Sequence, residues 1–391
     1  MKNIGILIHI VGKGGAEHVA ARLSNLLSKH YNVYFIVFSQ QYPPSYSFSG
    51  HFINLNIPPT TNVFKRGLAT IKRIIRLRKV KKEYKLDCVI SFLGNANVVN
   101  VLSNNKKCKT IVSIRNYNLG KITFIDNILN NLVFKKSDKI VCCSQEIQID
   151  LMKLYNISSK KIITIYNPFD LSSIQSLAEI KNKDIKLPKG FKFVTMGRIM
   201  PQKGFWNLVK SFSILLKSNP EANLLVIGKD FSDGKLQTLV QELEISKKVY
   251  FLGQLENPFC ILSKCDCYIL SSLFEGFPNA MTEAMCCGLP IIASNCKSGP
   301  KEILDENTQL KVKDIYFAKY GIIYKEYNDF KENYTTDINK EHEILANAMQ
   351  TIINDESLRE KFKYKSIERA NDFSYDACEN KFVELISELL N

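Results

Sequence analysis

The chain has 391 residues, an apolar content of 45% and a formal net charge of +15 at pH 7. Such a length is too great for one ordinary core and predicts two domains of a globular protein. No apolar run approaches the roughly 18 residues that a bilayer-spanning helix needs, so none is expected. The 11 cysteines form no C-x-x-C pair and no zinc-type spacing with histidine, which favours a reducing cytoplasm over a disulfide framework.

The basic charge belongs to the first half of the chain. Residues 1–170 contain 25 Lys and Arg against 8 Asp and Glu, whereas the rest contain 28 against 30. One-sided charge of this kind predicts an anionic partner for the first half, such as lipid headgroups, a polyphosphate lipid or nucleic acid.

Strands and helices alternate in the first half, which predicts a mainly parallel, doubly wound sheet. Apolar periodicity predicts helices over Ala16–Lys29 and Phe64–Lys85. The predicted strands are Ile4–Ile10, Val33–Phe38, Cys88–Phe92, Thr110–Ile114 and Lys139–Cys143.

The alternation breaks at Tyr166–Asp170, and a polar, Lys-rich stretch predicts a linker over 168–188. A second α/β series begins at Phe191–Met196. Its further predicted strands are Asn223–Ile227, Val249–Leu252, Cys267–Leu270 and Pro290–Ala293. The sequence therefore predicts domains over 1–168 and 189–372, with a final helix over 373–391.

The segment Ser271–Met285 carries the strongest chemical signal. Together with the preceding apolar run Cys267–Leu270, it predicts a strand, a tight loop and a helix, with Glu275 and Glu283 on either side of the loop. The free N–H groups at such a helix start favour phosphate. The loop itself consists of Gly276, Phe277, Pro278 and Asn279.

A second loop, Gly197–Gly204, follows the first strand of the second domain. It places Arg198 and Lys203 before a helix that is predicted to begin near Phe205. Two cations beside a helix start favour a diphosphate ligand. The alternative is two solvated surface cations.

These two motifs, together with Gly288–Ser294 and Ser298–Ile303, resemble the retaining glycosyltransferases of family 4. The resemblance implies the GT-B fold, in which two Rossmann-like α/β domains face a cleft. The first domain would bind the acceptor and the second the nucleotide sugar. The last helix would cross back onto the first domain.

The resemblance also implies roles for individual residues. Arg198 and Lys203 would neutralise the leaving diphosphate, Glu275 would lie near the transferred sugar, and Glu283 would bind the ribose. Glu275 is alternatively a cap of the following helix. The remaining donor contacts implied are the loop Gly276–Asn279, Gly228 and Gln254, with Gly14 and Gly15 from the first domain.

The turn that contains Gly14 and Gly15 lacks the dinucleotide fingerprint, because Glu17 occupies the last glycine position. A plain strand-to-helix turn is the alternative reading of this turn. Many family members carry a histidine near 115, where this chain has Arg115 and Asn116. We expect these two residues, with Glu17, on the acceptor or phosphate side.

The basic helix Phe64–Lys85 interleaves cations with aliphatic residues, which is typical of a helix on an anionic membrane. We expect membrane contact through Lys72, Arg73, Arg76 and Lys79. A solvated basic face of an ordinary domain helix is the alternative. Ile122–Phe134 is a second candidate for membrane contact, for which core packing is equally expected.

No Asp-x-Asp motif is present, so we expect metal-independent transfer, no cofactor, and charge stabilisation by Arg198 and Lys203.

The segment Cys296–Ile303 resembles transferases that build bacterial surface polysaccharides, such as O-antigen, lipopolysaccharide or capsule. That implies a UDP-sugar donor and a polyprenyl-diphosphate-linked or lipopolysaccharide acceptor at the inner face of the cytoplasmic membrane. Two alternatives are a soluble glycosyltransferase acting on a small metabolite or glucan, and a basic nucleic-acid-binding protein. The basic helix lacks the interleaved aromatics expected of the second.

Overall fold

The computed structural model describes residues 1–12, 14–104, 107–116, 123–182, 185–327 and 331–391, without the side chains of Val63 and Phe64. The chain divides into two compact units. The first comprises Met1–Pro168 with Tyr375–Asn391, and the second comprises Phe169–Ser374. No helix in the described ranges is both long and apolar enough to cross a membrane.

The first unit is built on a parallel sheet with the order β3-β2-β1-β4-β5-β6-β7 in its described residues. Its strands are β1 Asn3–Ile8, β2 Asn32–Val37, β3 His51–Asn54, β4 Cys88–Phe92, β5 Lys109–Ile114, β6 Lys139–Cys142 and β7 Ile162–Thr164. Its helices are α1 Gly15–Leu27, α2 Val63–Glu83, α3 Gly94–Leu102, α4 Phe124–Lys136, α5 Gln145–Tyr155 and, from the end of the chain, α14 Tyr375–Leu390.

Apolar residues on both faces of the central strands explain this sheet, because parallel strands are covered by helices on each side. The C-terminal helix α14 supplies part of one cover. Its Cys378, Phe382, Leu385 and Ile386 are buried in the same cluster as Ile4 and other residues of the sheet. The final segment is thus an integral part of the first unit.

The second unit has the sheet order β10-β9-β8-β11-β12-β14-β13, in which only the edge pair β13–β14 is antiparallel among the described strands. Its strands are β8 Lys192–Met196, β9 Asn223–Ile227, β10 Val249–Gly253, β11 Cys267–Leu270, β12 Ile291–Ser294, β13 Ile315–Phe317 and β14 Ile322–Tyr324. Its helices are α6 Leu171–Glu179, α7 Phe205–Leu216, α8 Lys235–Glu242, α9 Phe259–Leu262, α10 Asn279–Cys286, α11 Pro300–Leu304, α12 Lys340–Asn354 and α13 Glu356–Ala370, with 3-10 turns at Pro201–Lys203 and Asn371–Phe373.

The predicted linker over 168–188 is wrong in its first part, which is the helix α6. Asp170 caps this helix by accepting from the Ser173 N–H at 3.0 Å. The helix is fastened to the second unit by the side-chain amide of Asn257, which donates to the Leu177 carbonyl at 2.8 Å. The polar composition reflects a surface helix rather than a loose connection.

The strand order reverses between β8 and β11 in the second unit, and between β1 and β4 in the first. Ligands of open α/β sheets bind at the carboxyl ends of the strands beside such a reversal. The loops after β8, β9 and β11 are therefore the expected place for a ligand in the second unit. They contain the predicted donor motifs.

Candidate active site

The loop after β8 is held against the loop after β9 by glycine. The N–H of Gly197 donates to the Ile227 carbonyl at 2.9 Å, and a Cβ on Gly228 would overlap the carbonyl oxygen of Gly197. Gly228 also has a φ of +146°, which side chains rarely tolerate. This close approach carries Arg198 to the edge of the sheet, where it is exposed. No described residue forms a hydrogen bond or ion pair with its guanidinium.

Lys203 and Glu275 form an ion pair at the same edge. The ammonium Nζ of Lys203 lies 2.7 Å from Oε1 of Glu275, and the two side chains are only 16% and 6% exposed. Gly204 follows the 3-10 turn with a φ of +59°, and a Cβ at this position would overlap the Ser271 carbonyl oxygen. Helix α7 begins directly after it without a side-chain cap. The N–H of Asn207 donates to the Gly204 carbonyl at 3.0 Å, so the N–H groups of Phe205 and Trp206 are the ones that an anion could meet.

The carboxylate of Glu275 is fixed by further contacts that sequence reasoning missed. The hydroxyl of Ser272 donates to Oε1 at 2.6 Å, and the side-chain amide of Gln202 lies 3.5 Å from Oε2. The backbone of the loop is held as well, because the Ser298 hydroxyl donates to the carbonyl of Gly276 at 3.0 Å. Ser272 and Gln202 stand beside the predicted residues in the sequence, which was the available signal. These contacts occupy the carboxylate of Glu275. It does not cap the following helix, because α10 has no side-chain cap.

Two residues of the loop Gly276–Asn279 do not offer a free N–H group to a ligand. Pro278 has no N–H, and the N–H of Asn279 donates to the Phe277 carbonyl at 2.9 Å. Phe277 is buried, with its ring 6.2 Å from that of Phe169 and 5.4 Å from that of Phe373. The side chains of Phe277 and Pro278 therefore pack the loop in place.

Glu283 is the fifth residue of α10, which begins at Asn279, so it lies in the second turn of this helix. It is half-buried. Burial, together with the nearby carboxylates of Glu275 and Glu283, raises the pKa of the Tyr268 phenol. The hydroxyl of Tyr268 donates to the Met196 carbonyl at 3.3 Å. Gln254 is exposed after β10 on the same edge of the sheet.

In the first unit, Gly14 precedes α1 and the carboxylate of Glu17 folds back over it. The neighbouring Lys13 lies outside the described residues. Gly15 is exposed and begins the helix. The turn therefore holds its acidic side chain at a helix start, where a carboxylate is favoured without any ligand.

Arg115 lies at the carboxyl end of β5. Its Nε donates to the Ser113 hydroxyl and its Nη1 to the Asn167 side chain, each at 2.6 Å. Its buried Nη2 has no hydrogen-bond partner among the described residues. Burial lowers the pKa of this guanidinium. Arg115 is thus a rigid cation with an unused donor, while Asn116 is exposed beside it.

Of the four predicted membrane contacts on α2, one is buried and three are exposed. Arg73 is buried and donates from Nη2 to the carbonyls of Ile57 and Pro58, each at 3.0 Å, so its prediction as a membrane contact is wrong. Arg76 is exposed, but its Nη1 donates to the Leu55 carbonyl. Lys72 and Lys79 are exposed. Arg73 lies on the side of α2 whose apolar residues are buried, so its side chain is buried with them.

The sequence model of the group 1 glycosyl transferases matches residues 178–369, and that of glycosyltransferase family 4 matches residues 13–173. An uncharacterized glycosyltransferase of Methanocaldococcus jannaschii is 32% identical over 330 residues, which are 78% of this chain and 80% of that protein. The chain belongs to the family 4 glycosyltransferases, and it is an enzyme of that class. The family predicted from the motifs is confirmed.

The name of a further relative states the substrate on which that protein acts. The N-acetylgalactosamine-N,N'-diacetylbacillosaminyl-diphospho-undecaprenol 4-alpha-N-acetylgalactosaminyltransferase of Campylobacter jejuni is 26% identical over 95% of this chain and 96% of its own. Among solved structures, Anabaena Alr3699/HepE in complex with UDP superposes with a TM-score of 0.73 at 16% identity, over 99% of this chain and 100% of that one. The predicted fold class, GT-B with two parallel-sheet α/β domains, is confirmed.

Proposed function

We propose that the enzyme transfers a sugar from a UDP-sugar to a polyprenyl-diphosphate-linked oligosaccharide, with retention of anomeric configuration and without a metal ion. The observation that carries the proposal is the cationic edge of the second sheet. Exposed Arg198, the Lys203–Glu275 pair and the uncapped start of α7 converge where a diphosphate would lie. Fixed positive charge of this kind stabilises a leaving phosphate as its charge develops.

The residues suggest how the reaction proceeds. Arg198 and the N–H groups of α7 would bind the diphosphate, while Lys203, oriented by Glu275, would lie between phosphate and sugar. The bond from the anomeric carbon to the phosphate oxygen breaks as the acceptor hydroxyl attacks from the same face. The departing oxygen takes the acceptor's proton, so no separate enzyme base is needed. Glu283 would accept from the ribose hydroxyls.

The lipid-linked acceptor is supported by the Campylobacter relative, which by name acts on a diphospho-undecaprenol substrate. It also suits the basic first half of the chain, because a polyprenyl diphosphate is anionic. UDP as the donor nucleotide is supported by the Anabaena structure, which contains UDP.

Peripheral membrane contact, at the inner face of the cytoplasmic membrane, completes the proposal. Leu68, Ile71 and Ile75 are 55–61% exposed on α2 and, three and four residues apart, share one face of the helix. Exposed Lys72 and Lys79 stand on the same helix. Exposed apolar side chains with lysines around them fit the boundary between acyl chains and anionic headgroups.

Helix α4 adds a second exposed apolar surface. Phe124, Ile125 and Ile128 at its start are 53–79% exposed, in the described part of the predicted segment Ile122–Phe134; Ile122 itself lies outside the described residues. Both α2 and α4 pack against α3 in the first unit. Exposed apolar side chains on two helices beside the same third helix favour one extended membrane-facing surface.

The donor is tested by thermal unfolding with UDP, GDP and ADP, followed by transfer from a panel of UDP-sugars onto a synthetic undecaprenyl-diphosphate-linked glycan. Stabilisation by UDP alone and an α-linked product from an α-linked donor are expected, with the rate unchanged by EDTA. Loss of activity in EDTA would contradict metal independence. Absence of any nucleotide effect would contradict the donor assignment.

Membrane contact is tested by co-sedimentation with phosphatidylglycerol and phosphatidylcholine vesicles. The Ile71→Ser/Ile75→Ser variant should lose binding to both lipids, and Lys72→Gln/Lys79→Gln should lose the preference for phosphatidylglycerol. Lys247→Gln, an exposed lysine of the second unit, serves as the control. Equal loss in the control variant would show that only net charge matters.

A further inference from the structure

A cavity of about 370 Å³ lies at the carboxyl edge of the first unit's sheet. It is lined by residues that follow separate strands: His9 after β1, Phe38 after β2, Thr60 after β3, and Asn95 after β4. It therefore lies across the point where the strand order reverses, which is where open α/β sheets bind ligands. The predicted donor and acceptor residues do not line it.

The cavity wall contains two buried nitrogen atoms without hydrogen-bond partners among the described residues. His9 stacks on one side of Phe38 at 5.0 Å between ring centroids, and the Arg73 guanidinium carbon lies 4.5 Å from the centroid of the same ring. Arg73 is only 6% exposed. Its Nε and the Nε2 of His9 are buried and have no hydrogen-bond partner among the described residues. Buried polar atoms are rarely left unpaired, so both point to a ligand.

The chemistry of the wall selects an anion. Arg66 joins Arg73 at the cavity, and the described residues that line it include no Asp or Glu. The nine-residue helix α3 begins at Gly94 without a side-chain cap, and its second residue, Asn95, lines the cavity, so the start of this helix lies beside the space. Burial, with a smaller contribution from Arg73, lowers the pKa of His9 to about 4. His9 is therefore neutral at pH 7 and contributes a hydrogen bond, not a second buried charge.

We propose that this cavity binds the phosphate groups of the lipid-linked acceptor. Arg66 and Arg73 supply the charge, the start of α3 supplies N–H donors, and neutral His9 supplies a further hydrogen bond. The inference rests on the proposed function, since it gives a place in the first unit to the diphosphate of that acceptor. It also explains why Arg73 is buried on a helix whose other cations are mostly exposed.

The test measures by calorimetry how tightly inorganic pyrophosphate binds to the full chain carrying Arg198→Gln and Lys203→Gln. These two substitutions remove the cations that are proposed to bind the diphosphate of the sugar donor. Binding should persist in this background and weaken at least tenfold when Arg66→Gln is added. The matched control is Lys82→Gln, an exposed cation of the same helix outside the cavity, which should change the affinity less than twofold. Absence of pyrophosphate binding, or equal weakening by Lys82→Gln, would overturn the proposal.

Two further measurements keep the test decisive. Arg73→Lys retains the charge but loses the planar donors, and should weaken binding in a chain whose thermal unfolding shows that it folds. Vesicles of phosphatidylglycerol identify the source of the phosphate: if Arg66→Gln weakens vesicle binding and leaves pyrophosphate binding unchanged, the cavity binds headgroups and the acceptor assignment is wrong. A chain that transfers sugar without binding pyrophosphate here would refute this inference alone, whereas a chain that binds pyrophosphate but no nucleotide would refute the proposed function alone.

Discussion

The Nζ atom of Lys203 lies 2.7 Å from Oε1 of Glu275, across 72 positions of the sequence. The pair joins two residues that were expected at different ends of the donor, one at the diphosphate and one at the sugar. Because Glu275 is only 5% exposed, its carboxylate depends on Lys203 and Ser272 for solvation. Lys203 is thereby held in one position, and Arg198 remains as the exposed cation of the loop.

Arg198→Gln should reduce transfer without reducing stability. Loss of one charged donor to the leaving group is expected to lower kcat about 10²-fold. The free energy of unfolding should change by less than about 0.5 kcal/mol, because Arg198 is exposed and unpaired among the described residues. Steady-state kinetics and urea unfolding measure the two effects. Exposed Lys229→Gln on the adjacent loop is the control, and an equal loss of rate there would argue against a specific contact.

Lys203→Met should reduce both activity and stability. It leaves the buried carboxylate of Glu275 with fewer donors, which is expected to cost about 1–3 kcal/mol in the free energy of unfolding. Glu275→Gln should cost less, because a neutral amide keeps part of the hydrogen bonding. The double variant measures the coupling, which should be about 0.5–3 kcal/mol for directly contacting residues. Additive effects in urea unfolding would mean that the pair does not exist in solution.

The alternation of strands and helices was predictable because the central strands are continuous apolar runs. The short edge strands His51–Asn54 and Ile162–Thr164 were not, since at three or four residues their pattern is indistinguishable from that of loops. Helix α6 was taken for a linker because its composition is polar. Its Asp170 cap was visible in the sequence, but its docking on Asn257 depends on the tertiary fold.

The site was predictable in its residues but not in its pairings. The motifs located Arg198, Lys203 and Glu275, yet contact between Lys203 and Glu275 requires the loops after β8 and β11 to meet. On α2, periodicity showed an amphipathic helix without showing which cations lie on its buried side. Arg73 was consequently misplaced, because its burial depends on the Ile57 and Pro58 carbonyls that its guanidinium binds.

Gly228→Ala should destabilise the second unit and reduce donor binding. The added Cβ would overlap the Gly197 carbonyl, and the φ of +146° is unfavourable for alanine. A loss of more than about 1 kcal/mol in the free energy of unfolding is expected. Gly253→Ala is the matched control: it has a φ of +66° but open space around the added Cβ, so only the backbone strain applies. Equal losses in urea unfolding would show that the contact with Gly197 is unimportant.

Glu379 should make the attachment of α14 sensitive to acid. Its carboxylate binds Lys29 at 2.8 Å and His30 at 2.7 Å on the first unit's α1–β2 connection. Burial raises the pKa of Glu379, but the hydrogen bonds and charges of Lys29 and His30 outweigh it, so the net pKa lies below the usual value. A lowered pKa means that the stabilisation is present above the unfolded-state value of about 4.3 and is lost as pH falls through the lower folded value.

Glu379→Gln should therefore cost about 1 kcal/mol at pH 7, a modest value because Lys29 is largely exposed, and progressively less as the pH falls towards 3. Thermal unfolding of both proteins from pH 3 to 7 measures this difference. Glu384→Gln, an exposed position of the same helix, should leave stability unchanged across the range. A difference between wild type and Glu379→Gln that stayed constant down to pH 3 would indicate lost packing rather than lost charge. The C-terminal helix would then be held to the first unit by its apolar face alone.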